Sequence, residues 1–498
     1  MTFSEYRQYD ALGLAELISQ GEITAAELLD LAIARAEAVN PSINAIIHPL
    51  YEHAREQLEK EGANANSPFA GVPFLIKDLG LHLQGTPTRI GSRSTPSGPS
   101  AASSYLVNSF EEAGLLIFGK TNTPEFGLTP FTEPELFGPT RNPWNTAYTA
   151  GGSSGGSASA IAAGIVPMAT ASDGGGSIRM PASCCGLFGI KPSRGRLSLG
   201  PGSGEMWGGA VVEGCNSRSV RDSAAFLDHY SKTGPGELYH AAQPVQPFSH
   251  EITQAPGTLR IAYSFEHPLG LPVDAACKQA IESTAELLAE LGHEVEAVPL
   301  PYEREDLTRT FLYHIMGEVS AELRRVGQAR GSKVRRSEVE ENTFALAMLG
   351  DHISGGDYAY YRSQWNDLAR RQGRFHQTYD CLLTPTVALA PFPIGSLQGT
   401  PAEQMMIKIL NRLRLGQLLK ANIEQLAEKV FGYMPYTPIA NMTGQPAMSV
   451  PLHWTDQQLP VGVMFSSAIY REDILFRLAA QLEQGRPWKD KLAAVGEW

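Results

Sequence analysis

Residues 149–164 read TAGGSSGGSASAIAAG, and a second glycine run, SDGGGSIRMPA, follows at 172–182. The first run is open to three readings. A linker would lie between domain edges and hold few apolar residues, yet this run passes directly into SASAIAAGIVPMA, which suits a helix packed in a core. A phosphate loop needs a lysine behind its glycines, and none follows Gly155–Gly156. The dinucleotide pattern needs a strand in front of it, and the lead-in NPWNTAYTA (142–150) predicts none.

The third reading is catalytic and has two forms. Gly151-x-Ser153-x-Gly155, like the window one residue later, matches the elbow that exposes a nucleophilic serine after a buried strand, with a later acid and histidine as partners. The lead-in is polar, however, and the late candidates His376 and His453 sit in no persuasive loop. The other form uses the second run, where three glycines end on Ser177. Glycine reaches backbone conformations closed to other residues, so the N–H groups of Gly174, Gly175, Gly176 and Ser177 can converge on an oxyanion beside a serine nucleophile. Ser153 and Ser177 are 177 − 153 = 24 residues apart and can meet across a small-residue helix. In FAGVPFLIKDLG (69–80), Val72, Phe74 and Ile76 face one side and Pro73, Leu75 and Lys77 the other. That pattern predicts a buried strand with Lys77 near its carboxyl end, placed to serve as a base.

The rest of the chain predicts a mixed architecture. Thr24-Ala25-Ala26-Glu27 has the form of a capping box opening a helix that should stop near Asn40–Pro41. A helix stopped by Gly114 and then a strand are expected over 106–119, and a helix, Gly292 and a strand over 276–297. A strand should end at Thr384-Pro385-Thr386, two strands should flank Thr455-Asp456-Gln457-Gln458, and a helix should close the chain at 472–484. Helices and strands alternate without an obvious linker or repeat, which predicts one large α/β unit. Residues 303–380, helical and polar, read as a cap or insertion.

Composition narrows the classes further. The chain has 498 residues, 43% hydrophobic and 18% charged, as expected of a soluble globular protein with a large core. Its net charge of -12 comes with no basic stripe, so no nucleic-acid partner is expected. The segment MTFSEYRQYD does not resemble a secretory signal, and no apolar run reaches the ~18 residues of a membrane span. Five cysteines with Cys184 and Cys185 adjacent suit neither a metal site nor a disulfide framework. A cytoplasmic protein with reduced thiols is the simplest expectation.

At this point several motifs in order resemble one family, the amidase signature hydrolases. They are GVPFLIKD (71–78), GKTNTPEFG (119–127), TRNPWN (140–145), GGSSGGSASA (151–160), SDGGGSIRMPA (172–182) and CCGLFGIKPSRGR (184–196), with NMTGQPAMSVP (441–451) and PVGVMF (460–465) near the C-terminus. The resemblance implies an α/β fold: a single large domain over 1–498 with a central mixed β-sheet flanked by helices. Within it, a helical layer occupies 1–65, the signature core 66–230, the helical insertion about 303–380 and the last part of the sheet 381–498. It implies a Ser–cis-Ser–Lys triad with Ser177 as nucleophile, Ser153 as bridge after a cis Gly152–Ser153 peptide, and Lys77 as base. It also implies an oxyanion hole from Gly174 to Ser177, and neither metal nor cofactor.

The implied chemistry is coherent. Serine needs an adjacent base, and a free lysine, with a pKa of about 10.4, is protonated at neutral pH. Burial lowers that value, so a buried Lys77 can take a proton from Ser153 as Ser153 takes one from Ser177. Gly152, Ser154, Asp173 and Arg179 are read as support, with Asp173 and Arg179 paired across the turn and Ser154 holding its loop. Cys184 and Cys185 are read as packed small residues. The expected reaction is hydrolysis of a carboxylic amide through an acyl-enzyme, with a small-molecule amide as partner and a monomer or homodimer as the assembly. TRNPWN and GRLSLGPG (195–202) look more like the bacterial amidases, including aminohexanoate cyclic dimer hydrolases, than like the alternative, the glutaminase subunit of a tRNA-dependent amidotransferase. Phe126, Phe131, Trp207 and Met316, with Phe137 and Phe311, are candidate pocket walls favouring an apolar, cyclic or aryl amide.

Overall fold

The strands are β1 (Ile46–Pro49), β2 (Pro73–Lys77), β3 (Leu116–Thr121), β4 (Arg141–Asn142), β5 (Asn145–Thr149), β6 (Met168–Asp173) and β7 (Phe188–Lys191). They continue with β8 (Val212–Ser217), β9 (Arg260–Tyr263), β10 (Glu294–Ala297), β11 (Cys381–Pro385), β12 (Ala447–Trp454) and β13 (Pro460–Ser467). Eleven of them form one sheet in the order β1-β3-β2-β6-β8-β7-β12-β13-β11-β9-β10. This computed structural model describes residues 1–61, 67–413, 428–493 and 495.

The sheet is mixed. β2 runs parallel to β3 and β6, and β9 runs parallel to β10 and β11. β6–β8, β7–β8, β7–β12, β12–β13 and β11–β13 are antiparallel. Every residue of β2, β3 and β6 is buried, as expected of strands covered on both faces. The helix Gly155–Ala162 (GGSASAIA) can lie against them because its side chains are small and nearly all buried. The central mixed α/β sheet flanked by helices agrees with the fold expected from the motifs.

Two local expectations are corrected. The helix opened by Thr24 runs through Pro41 to Ile43 rather than stopping at Asn40. Pro41 sits in the last turn, where it forfeits one backbone hydrogen bond, and the Asn40 side chain secures the exit by accepting from the N–H groups of Ala45 and Ile46 at 2.8 Å each. The lead-in NPWNTAYTA does contain a strand, β5, paired with β4 in a two-stranded ribbon outside the main sheet. Its side chains alternate in exposure, so a polar sequence is tolerated there.

Residues 303–380 form the helices Leu312–Ala329, Glu341–Gly350 and Gly355–Phe375 with a preceding π-helical turn, Asp306–Phe311. Phe311, Ile315 and Val319 join Trp365 and Leu368 in an apolar cluster that also takes in Phe431 and Tyr433.

Candidate active site

Lys77 enters from the carboxyl end of β2 and has no solvent exposure. Its backbone N–H donates to Thr170 Oγ1 at 2.7 Å, and its Nζ donates to Ser153 Oγ at 2.8 Å and Ser172 Oγ at 3.0 Å. Burial pulls its pKa down to about 7, although Glu213 and Asp173 act in the opposite direction. Burial thus favours the neutral amine of Lys77 over its ammonium.

Ser153 follows a cis peptide, Gly152–Ser153, as the motif resemblance implied. A side chain at residue 152 would place its Cβ 2.6 Å from the Phe131 nitrogen, so glycine is needed for the close approach of the two backbones. Ser154 is turned toward β6, where its hydroxyl donates to the Ser172 carbonyl and accepts from the Ser172 N–H, both at 3.3 Å.

The turn that carries Ser177 is built on a buried ion pair. Asp173 accepts from Arg179 Nη2 at 2.9 Å and Nε at 3.0 Å, and from the N–H groups of Gly176 at 2.7 Å and Ile178 at 3.1 Å. Asn441 ties the pair to the C-terminal half, donating to Asp173 Oδ1 at 2.8 Å and accepting from Arg179 at 2.7 Å. Burial alone would raise the Asp173 carboxyl, but the Arg179 guanidinium overrides it and holds the pKa at about 2.

This arrangement corrects the expected oxyanion set. The Gly176 N–H is committed to Asp173, whereas those of Gly174, Gly175 and Ser177 have no hydrogen-bond acceptor among the described residues. Gly176 adopts φ 132° and packs on Thr437, whose hydroxyl donates to the Gly175 carbonyl at 2.7 Å.

Ser153, Ser172, Gly174, Ser177 and Glu213 share one narrow cleft, with a cavity volume of about 30 Å³, walled by Leu79, Phe126, Met206, Trp207 and Val211. Phe126 and Trp207 both have positive φ, 52° and 50°, which fixes the direction in which each ring leaves the chain. The Trp207 turn is held by the 303–380 helices. Arg362 donates to the Gly208 carbonyl at 2.6 Å, and the His314 ring closes on Gly208.

Of the expected pocket residues, Phe126 and Trp207 line this cleft. Phe131 backs Gly152, and Phe311 packs on Gly175. Phe137 stands edge-on to His48, with ring centroids 5.6 Å apart. Met316 is turned away and packs with Leu349. Ile315 faces the apolar cluster, and the next residue lies about 100° further round the helix. The late histidines of the elbow reading are elsewhere: His376 contacts the Tyr379 carbonyl, and His453 lies in β12 opposite Val461 of β13. Cys184 meets the Tyr433 hydroxyl at 3.3 Å, and all five cysteines are buried and unpaired.

Sequence reasoning passed over Ser172, Glu213, Met206 and Val211 as cleft residues. Ser172 had a signal, since Thr170 and Ser172 put two hydroxyls on one face of the otherwise small and apolar strand MATASD.

A family model described as Amidase matches residues 27–476. The 6-aminohexanoate-cyclic-dimer hydrolase of Pseudomonas sp. (strain NK87) is 37% identical over 489 residues, covering 96% of this chain and 95% of the relative. The structure of 6-aminohexanoate cyclic dimer hydrolase complexed with substrate superimposes with a TM-score of 0.88 at 35% identity, covering 99% of this chain and 100% of that one. A bacterial aryl acylamidase of the amidase signature enzymes gives a TM-score of 0.83 at 25% identity, covering 96% of each chain.

Proposed function

The chain belongs to the amidase signature family and hydrolyses amide C–N bonds; on that premise we propose that Ser177, Ser153 and Lys77 carry out the reaction. Neutral Lys77 accepts the Ser153 proton while Ser153 takes the proton of Ser177, and the Ser177 oxygen attacks the amide carbonyl. The oxyanion is received by the N–H groups of Gly174, Gly175 and Ser177. Ser153 returns a proton to the leaving amine, and water then cleaves the acyl-enzyme. The observation that carries this reading is the 2.8 Å hydrogen bond between a fully buried lysine and Ser153, at a cleft that also holds Ser177.

We assign the substrate to uncharged cyclic or aryl amides. The cleft walls are apolar, and the relatives include a cyclic-dimer hydrolase and an aryl acylamidase. A cytoplasmic location accords with five unpaired thiols. Among the described residues no helix is long and apolar enough to cross a membrane.

The test is labelling with a serine-reactive fluorophosphonate, followed by mass spectrometry and a panel of linear, aryl and cyclic amides that includes free glutamine. Label on Ser177, loss of turnover in Ser177→Ala and preference for cyclic or aryl amides are expected. Label on Ser153 or Ser154 with turnover intact in Ser177→Ala would sink the assignment.

A further inference from the structure

Glu213 is a carboxyl group without an evident structural task. It is 2% exposed, lines the cleft, and its Oε2 is buried without a hydrogen-bond partner among the described residues. A buried carboxyl left unpartnered costs stability, so its presence calls for a reason. The β6–β8 ladder supplies one. Glu213 is the direct cross-strand partner of Ser172, and residues so paired project to the same face of the sheet. Ser172 is one of the two residues whose hydroxyls accept from Lys77 Nζ.

We propose that Glu213 is a positioning residue whose carboxylate serves as counter-charge to the Lys77 ammonium formed when Ser177 attacks. The inference rests on the reading of Lys77 as base. The proton leaving Ser177 passes to Ser153, and that of Ser153 passes to Lys77 Nζ. Glu213 gains no proton; its negative charge stabilises the positive charge arriving beside it, in a buried site where charges are weakly screened.

The other charges near Lys77 are already engaged. Asp173 is bound by Arg179, with Lys191 adding positive charge beside it. Asp78, next in the chain, accepts through Oδ2 from the N–H groups of Arg89 and Ile90 and faces Lys120, although its Oδ1 is likewise without a hydrogen-bond partner among the described residues. Burial raises Glu213 to about 8, and Lys77 is the charge that opposes that rise. The two groups therefore titrate as a pair, and its apparent values belong to both.

The test is the pH dependence of kcat and kcat/KM for the wild type, Glu213→Gln and Glu213→Asp, with Lys77→Met in parallel. Below both titrations the wild type must lose two protons to reach the active form, so the acid limb of log(kcat/KM) steepens toward a slope of two. Glu213→Gln is expected to lower plateau kcat about tenfold, leave KM within about twofold, reduce the limb to a slope of one and move it to lower pH. Glu213→Asp is expected to restore the steep limb and part of kcat, and it carries the test if the glutamine variant does not fold. A wild-type plateau and limb in Glu213→Gln, or a KM effect with kcat unchanged, overturns the proposal. Near-normal turnover in Lys77→Met overturns instead the reading of Lys77 beneath it.

Discussion

Arg179 meets both carboxylate oxygens of Asp173, at 2.9 and 3.0 Å, in a pair with no solvent exposure on either side chain. The pair lies directly under the turn that presents Ser177, so the position of the proposed nucleophile and the stability of the fold share one support. Arg179→Leu leaves the carboxylate buried and uncompensated. It should destabilise the protein by about 3–5 kcal/mol, read as a lower urea midpoint together with loss of turnover. The Asp173 pKa is depressed, so the pair's contribution is complete above the ordinary carboxylate value of about 3.9 and is lost only as pH falls through about 2. The urea midpoint should therefore owe no pH dependence to this pair between pH 5 and 8.

Lys77 is expected to pit function against stability. Turnover should rise with pH as the buried Lys77–Glu213 pair loses its protons. In the unfolded chain lysine keeps its proton up to about 10.4, so from the buried value of about 7 up to there the unfolded state binds more protons at Lys77 and stability rises with pH. Lys77→Met should lower kcat by about 10²–10⁴-fold while raising the thermal midpoint at pH 7 and flattening its rise toward alkaline pH. Calorimetry across that range checks it.

Ser172 offers a milder change. Ser172→Ala removes one of the two hydroxyls that accept from Lys77 Nζ. A single hydrogen bond of about 1 kcal/mol corresponds to roughly a fivefold fall in kcat, with KM little changed. A steady-state comparison with Ser154→Ala, whose hydroxyl bonds only the β6 backbone, separates the lysine contact from loop support.

Trp207 should act on binding. Trp207→Ala takes away an apolar wall of the cleft and is expected to raise KM for a small apolar amide about tenfold, with a smaller change in kcat and better use of bulkier amides. KM measured across a graded series of anilides and lactams would show whether the indole sets the size limit.

Much of the proposed site could be read from the sequence because each part had a local signature. Lys77 interrupts an apolar run at a strand end, and Ser153 and Ser177 sit in glycine runs 24 residues apart (177 − 153). Glu213 had no such signature. Its significance comes from lying opposite Ser172 in an antiparallel pairing, which places together residues 213 − 172 = 41 positions apart. Met316 failed as a pocket residue because helical spacing gives an apolar face without saying which neighbour it meets. Gly176 failed as an oxyanion donor because the glycine run alone does not show that Asp173 takes its N–H. The strand β5 was missed because a two-stranded ribbon needs no apolar run, only a partner.

The Trp207 turn hangs from Arg362 and His314 on the helices of 303–380, whereas Lys77, Ser172 and Glu213 stand on the adjacent strands β2, β6 and β8. On the proposed mechanism, selection and bond-breaking thus have separate mountings. A laboratory seeking new amide specificities can randomise the helical mounting and leave the strands alone, expecting altered substrate preference without rebuilding the proton relay.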